Sequence, residues 1–128
     1  MLYILDTSVA IQLRDGDEDV LARVEALDGD ACMSVVTRVE LEGGVGRRPA
    51  DTAIRRKRLD ALLATVRCLP FDEDAADRYR QIIEAAGFSR PRIIDRMIAA
   101  HALALAATVV TLNGKDFVDV PQLNLLAW

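Results

Sequence analysis

An α/β fold with a sheet covered by helices on both faces is predicted for this 128-residue chain. Short apolar runs of strand length, LYIL, ACMSV and TVVTL, recur along it. Between them lie longer stretches in which apolar residues return every three or four positions, the helical period. The runs are apolar throughout rather than alternating, as expected of strands buried on both faces. Strands alternating with helices in this way predict a three-layer α/β/α sandwich around a central, mainly parallel sheet. No linker, internal repeat or low-complexity stretch interrupts the order, so residues 1–128 read as a single domain.

The elements follow in order. Residues 2–5 form a buried strand. Asp6-Thr7-Ser8 supplies an N-cap for a short helix carrying Val9, Ile11 and Leu13. Residues 17–27 form a second helix with Val20, Leu21, Val24 and Leu27 on one side, and Asp28-Gly29-Asp30 is a turn. Residues 31–35 make the next strand, and a helix starts near Thr37 and stops at Gly43-Gly44. Residues 52–66 give a longer helix, and 67–70 a short strand ended by Pro70. Residues 72–86 are helical and end at Gly87, a good residue just past a helix end. Pro91 suits the first turn of a helix that runs to about residue 106. Residues 108–112 are a buried strand, Asn113-Gly114 a turn, and 122–127 a last, edge strand.

Bulk properties narrow the functional classes. No apolar run approaches the ~20 residues of a membrane span. MLYILDTSV reads as strand and turn rather than as a secretory signal, so a cytoplasmic protein is expected. Cys32 and Cys68 lack the spacing of zinc ligands and read as small buried apolar residues. The net charge of -4 argues against a general nucleic-acid binder. It conceals a basic strip, however: segment 47–58 holds Arg47, Arg48, Arg55, Arg56, Lys57 and Arg58 against Asp51 alone. Such a strip is either a solvated helix face or a surface for a polyanion.

Four acids stand at the ends of four apolar segments: Asp6 after MLYIL, Glu40 after SVVTRV, Asp95 opening DRMIAAHAL, and Asp116 after TVVTLNGK. A parallel sheet gathers such positions at the carboxyl ends of its strands. Four carboxylates there make an oxygen-donor site for a hard divalent cation, which points to metal-assisted chemistry on a phosphate ester. Each acid also has a local structural reading. Asp6 is an N-cap. Glu40 completes a capping box with Thr37. Asp95 favours a helix dipole from the first turn. Asp116 caps a one-turn helix containing Phe117 and Val118. Four independent caps have no reason to share one edge of the sheet.

The flanks of these acids decide between the readings. LDTSV, TRVELEGG, DRMIAAHAL and VTLNGKDF, in that order, resemble the motifs of PIN-domain ribonucleases, and most of all the VapC toxins of type II toxin–antitoxin pairs. The resemblance runs through the closing VPQLNLLAW. It implies a catalytic metal site of Asp6, Glu40, Asp95 and Asp116 holding Mg²⁺ or Mn²⁺. It also implies RNA as substrate, a homodimer, and a small VapB-like antitoxin that blocks the site. On this basis Asp6, Asp95 and Asp116 hold the ion, and Glu40 is a ligand or orients the attacking water. Asn113 shares the fourth position with Asp116. Thr7, Ser8 and Thr111 form a second tier beside Asn113, and Arg47, Arg48, Arg90 and Arg92 are the candidates for RNA contact.

The remaining motifs carry less. His101 lies six residues beyond Asp95, about 240° around the helix, and is read as partly buried or at the surface. With no second histidine, a Ser–His–Asp scheme lacks support. Gly43-Gly44-Val45-Gly46 follows a helix rather than a strand and lacks the Lys-Ser/Thr ending of a P-loop. The alternative to a nuclease is a non-catalytic binding module of the same fold acting through protein partners, which has no need of four mutually repelling carboxylates. A receiver-type phosphoacceptor domain would need its aspartate at the end of a central third strand, and residues 67–70 end in Pro70 instead.

Overall fold

Leu2–Leu5 form β1, the middle strand of a five-stranded sheet. The computed structural model describes every residue from Met1 to Trp128. The chain continues through α1 (Thr7–Arg14) and α2 (Glu18–Glu25) to β2 (Asp30–Ser34), then α3 (Val35–Val45) and α4 (Thr52–Thr65) to β3 (Arg67–Leu69). It returns through α5 (Glu73–Ala86) and α6 (Ile93–Ala104) to β4 (Thr108–Thr111), and ends in β5 (Asn124–Ala127). The strand order is β3-β2-β1-β4-β5, and all four pairings are parallel.

Alternate strand residues face opposite helical layers, as the period of two requires. Ile4, Cys32 and Val109 point to one face, where Ile82 of α5 and Ile98, Ala99 and Ala102 of α6 cover them. Tyr3, Leu5 and Val110 point to the other, against Val9 of α1 and Val20 of α2. Met33 joins Ala10, Leu41, Leu59 and Leu62, which tie α1, α3 and α4 together. The small residues Ala99 and Ala100, both 0% exposed, let α6 approach the sheet closely.

Most elements lie where the sequence places them, within two or three residues. One boundary shift has consequences. Helix α3 begins at Val35, not near Thr37, because the Ser34 hydroxyl accepts from the Val36 amide and caps the helix. Thr37 is therefore an interior helical residue, fully buried, and there is no capping box for Glu40 to complete. The residues 90–92 form a 3₁₀ turn carrying Pro91 before α6, rather than the first turn of α6 itself. β3 is an edge strand, which removes the geometric basis of a receiver-type site.

His101 is buried at 2% exposure, not at the surface. Its Nδ1 lies 2.9 Å from Ser34 Oγ, and the Phe71 ring packs edge-on against it. Burial holds the imidazole below its ordinary pKa, so it serves as a neutral polar tie between α6 and the end of β2. Cys32 is buried, with its thiol on the Tyr3 carbonyl at 3.3 Å, and burial pushes it up to about 11. Cys68 is half-buried and free. No helix is long and apolar enough to cross a membrane.

Candidate active site

The chain leaves β1 toward β2 on one side and reaches β4 on the other, so a crevice opens where these strands end. Asp6 is the first residue beyond β1, and its amide donates to Val110 O of β4 at 3.0 Å. Asp6 is 2% exposed, and three donors hold its carboxylate. Oδ1 accepts from the Val9 amide at 3.0 Å and from Ser8 Oγ at 2.5 Å, and Oδ2 accepts from Thr111 Oγ1 at 2.5 Å. Asp6 thus caps α1 and faces the crevice at once. Burial raises its pKa, and those hydrogen bonds pull against the rise.

The second-tier residues have defined tasks in this geometry. Ser8 accepts the Leu112 amide at 3.1 Å while donating to Asp6, and Thr111 accepts the Asn113 amide at 2.9 Å while doing the same. The turn after β4 is thereby stitched to the start of α1. Asn113 contributes its backbone, with no side-chain cap bond. Gly114 is required next, because a Cβ there would lie 2.8 Å from Ala127 Cβ of β5. Asp116 closes the 3₁₀ turn Gly114–Asp116 rather than capping a helix, and it is half-buried.

Glu40 is exposed and projects from α3 toward α1. Its Oε1 accepts from Thr7 Oγ1 at 2.6 Å, and Thr7 Oγ1 also lies 3.3 Å from buried Thr37 Oγ1. A threonine pair thus orients this glutamate, and no sequence motif announced it.

Asp95 sits in the first turn of α6, half-buried. Its pKa is pushed up to about 6, first by burial and then by the negative charges of Asp116, Asp6 and Glu40 in that order; Arg92 offsets part of the rise. The field at Asp95 therefore registers all three other acids. At an effective dielectric of about 20, two unit charges 4 Å apart repel by roughly 4 kcal/mol, so a cluster of this kind favours a cation or a proton.

No group of three or more His, Cys, Asp or Glu side chains stands close enough together to hold a metal ion as the side chains lie. The donor set nonetheless fits a hard divalent ion. It is all oxygen, and its repulsion would be relieved by positive charge. An open arrangement also suits an ion that keeps waters and takes further oxygens from a phosphate.

The basic candidates divide sharply. Arg56 is taken up by Glu42 at 2.5 Å and Asp60 at 2.6 Å, so it is not part of a free strip. Arg55 turns inward, its Nη1 donating to Gly44 O at 2.8 Å. Arg47, Arg48 and Arg90 are exposed, and Arg92 stands 3.4 Å from Asp119. Arg96 is a residue that sequence reasoning passed over. It is 3% exposed, donates to the Gly87 carbonyl and to Asp119 Oδ2, and leaves Nε unpaired.

The family model described as PIN domain matches residues 3–123. This chain belongs to the PIN-domain family. "Ribonuclease VapC2" of Rickettsia felis is 28% identical over 137 residues, covering 100% of this chain and 98% of that protein. "Ribonuclease VapC1" of Haemophilus influenzae is 30% identical over 135 residues with the same coverage. Among solved PIN-domain structures, VapBC2 from Rickettsia felis bound to a promoter DNA fragment superposes with a TM-score of 0.88 at 27% identity, covering 100% of this chain and 99% of that one. FitAcB from Neisseria gonorrhoeae superposes at 0.80 with 28% identity, covering 97% and 96%.

Proposed function

We propose that this PIN-domain chain is a Mg²⁺- or Mn²⁺-dependent endoribonuclease and the toxin of a toxin–antitoxin pair. It acts in the cytoplasm as a homodimer and is silenced by a small VapB-like antitoxin. The observation that carries the reading is the PIN-domain match over residues 3–123 with Asp6 held at the end of β1 by Ser8, Thr111 and the Val9 amide; the charges of Asp116, Asp6 and Glu40, each raising the Asp95 carboxyl, support it. The relatives named ribonuclease, aligned over their whole length, supply the substrate class. The VapBC complexes supply the partner.

Asp6, Asp95 and Asp116 are the residues to hold the ion, with Glu40 beside them. A bound divalent cation polarises the phosphate and makes a water more acidic. The chain's own groups do the rest. Ser8, Thr111 and the Val9 amide fix Asp6 so that it cannot swing away. Glu40, held through Oε1 by Thr7, has Oε2 without a protein donor and is placed to orient the attacking water and accept its proton. Water attacks phosphorus, the bond to the 3′-oxygen breaks, and the products carry a 5′-phosphate and a 3′-hydroxyl. The RNA 2′-hydroxyl takes no part, so RNA preference rests on shape and flanking contacts, for which Arg47, Arg48, Arg90 and Arg92 are candidates.

The purified chain, freed of any partner, should cut structured RNA with Mg²⁺ or Mn²⁺ and stop with EDTA. Asp95→Asn should remain folded and lose most activity. Expression alone should slow growth, and co-expression with a neighbouring small reading frame should restore it. Equal cleavage by wild type and Asp95→Asn would falsify the site, and a binding module would become the better account.

A further inference from the structure

A cleft of about 280 Å³ opens on the far side of Glu40, lined by Thr7, Arg14, Glu40, Gly44, Arg47 and Arg55. Thr7 and Glu40, joined by their hydrogen bond, form part of its wall. Its charge is opposite to that of the acid set. Three guanidiniums line it, and Glu40 is the single acid among its lining residues.

Two of these arginines are anchored within the protein and keep donors to spare. Arg14, in the last turn of α1, has a side chain only 7% exposed. Its Nε and Nη2 face Asp15 at 3.0 and 3.3 Å, which leaves Nη1 without a protein acceptor. That Nη1 runs along the bare backbone of α3, 3.9 Å from where a Cβ on Gly44 would sit. Arg55 reaches the same point from α4 and donates its own Nη1 to Gly44 O at 2.8 Å. Two like charges thus converge on one glycine, and exposed Arg47 stands at the mouth without an ion-pair partner. Convergent forks of N–H donors are the chemistry that grips a phosphate.

We propose that this cleft is the subsite for the RNA backbone phosphate adjoining the scissile one, bound by Arg14, Arg47 and Arg55. The assignment rests on the ribonuclease reading and extends it. Glu40 belongs to the acid set and also lines this cleft, so a strand with its scissile phosphate at the acids has the basic cleft beside it.

The test measures binding of a fluorescein-labelled single-stranded oligoribonucleotide of mixed sequence to the full chain, in an Asp95→Asn background so that nothing is cut. Affinity is followed across KCl concentrations for Arg14→Gln, Arg55→Gln, Arg47→Gln and the double variant Arg14→Gln/Arg55→Gln. Each single change is expected to lower affinity by about tenfold. The double variant should flatten the slope of log affinity against log salt by about 0.7, one phosphate's share on a single strand. Mn²⁺ binding to the parent site, measured by calorimetry with Asp95 intact, should not weaken. Arg14→Lys keeps the charge without the fork and should fall between. Arg47 is exposed, so its variant stays informative even if Arg14→Gln unfolds. Unchanged affinity and slope in all variants overturn the assignment. So does weaker binding of a co-purified antitoxin with RNA binding intact, which gives the cleft to the protein partner. If the parent chain cuts RNA while the slope stays put, the cleft assignment alone fails; if it neither binds nor cuts RNA, the ribonuclease reading fails with it.

Discussion

Arg96 Nη2 stands 2.8 Å from Asp119 Oδ2, joining the start of α6 to the segment that follows β4. The same guanidinium donates to the Gly87 carbonyl, at the end of α5. Asp95 precedes Arg96 by one residue, and Asp116 precedes Asp119 by three. One buried cation therefore connects the two chain segments that deliver these acids.

Removing Arg96 leaves Asp119 with only its longer contact to Arg92 and the Gly87 carbonyl without this donor; a lost hydrogen bond to a charged group costs about 1.5–3 kcal/mol. Asp119 is exposed, with 36% of its side chain accessible, so Arg96→Met is expected to cost about 2 kcal/mol. Asp119→Asn should cost about 1 kcal/mol. A double-mutant cycle by urea unfolding should show the two changes to be non-additive by more than about 0.5 kcal/mol. Simple additivity would remove the clamp from the account.

Glu40 makes no capping-box bond, so Glu40→Gln has no helix cap to lose. The variant should melt near the wild-type temperature and lose about 100-fold or more in the rate of RNA cleavage. A normal rate would return Glu40 to a surface role.

Thr111→Val keeps the shape of a buried side chain and deletes the hydroxyl that donates to Asp6. Loss of a partner for a buried polar group costs about 1–3 kcal/mol. Groups that orient a metal ligand are worth about 10–100-fold in metal affinity. Titration of Mn²⁺ into Thr111→Val should show that loss, and Thr111→Ser should recover most of it. Equal Mn²⁺ affinity in Thr111→Val and wild type would count against Asp6 as a ligand.

Asp95 sets a pH dependence. Its folded value, about 6, lies above the ordinary 3.8. The folded chain thus holds this proton more tightly than the unfolded chain does. The resulting stability is fully present below the ordinary value and is lost as pH rises through about 6. Asp95→Asn should therefore melt higher than metal-free wild type above pH 6, with the gap closing toward pH 4. Mn²⁺ competes with the same proton, so its affinity for wild type should fall as pH drops below about 6. Melting curves and Mn²⁺ titrations across this range check both. A melting gap that does not change with pH would show that Asp95 is not strained by its neighbours.

Strand and helix order and the parallel sheet were legible in the amino acids, because they are local signals. An apolar run of strand length, a gap of helical period and an acid at the junction can be read without knowing what they touch. The family motifs lie at the same junctions. The start of α3 was misread for an equally local reason: Thr37 and Glu40 fit a capping pattern, and Ser34 two residues upstream of Val36 took the cap instead.

What only the tertiary structure decided is which side chains meet. Thr7 and Glu40 are 33 residues apart, and Thr111 and Asp6 are 105 apart, yet each pair shares a hydrogen bond. The basic strip could not be sorted from its letters alone. Helix α4 turns Arg56 onto Glu42 and Asp60 and Arg55 onto Gly44, while Arg14 arrives from α1 to complete the cleft. His101 likewise owed its place to packing between α6 and β2, where burial leaves it neutral. Local periodicity sets which elements form, but side-chain partners are chosen by the parallel crossovers that bring distant strand ends to one edge.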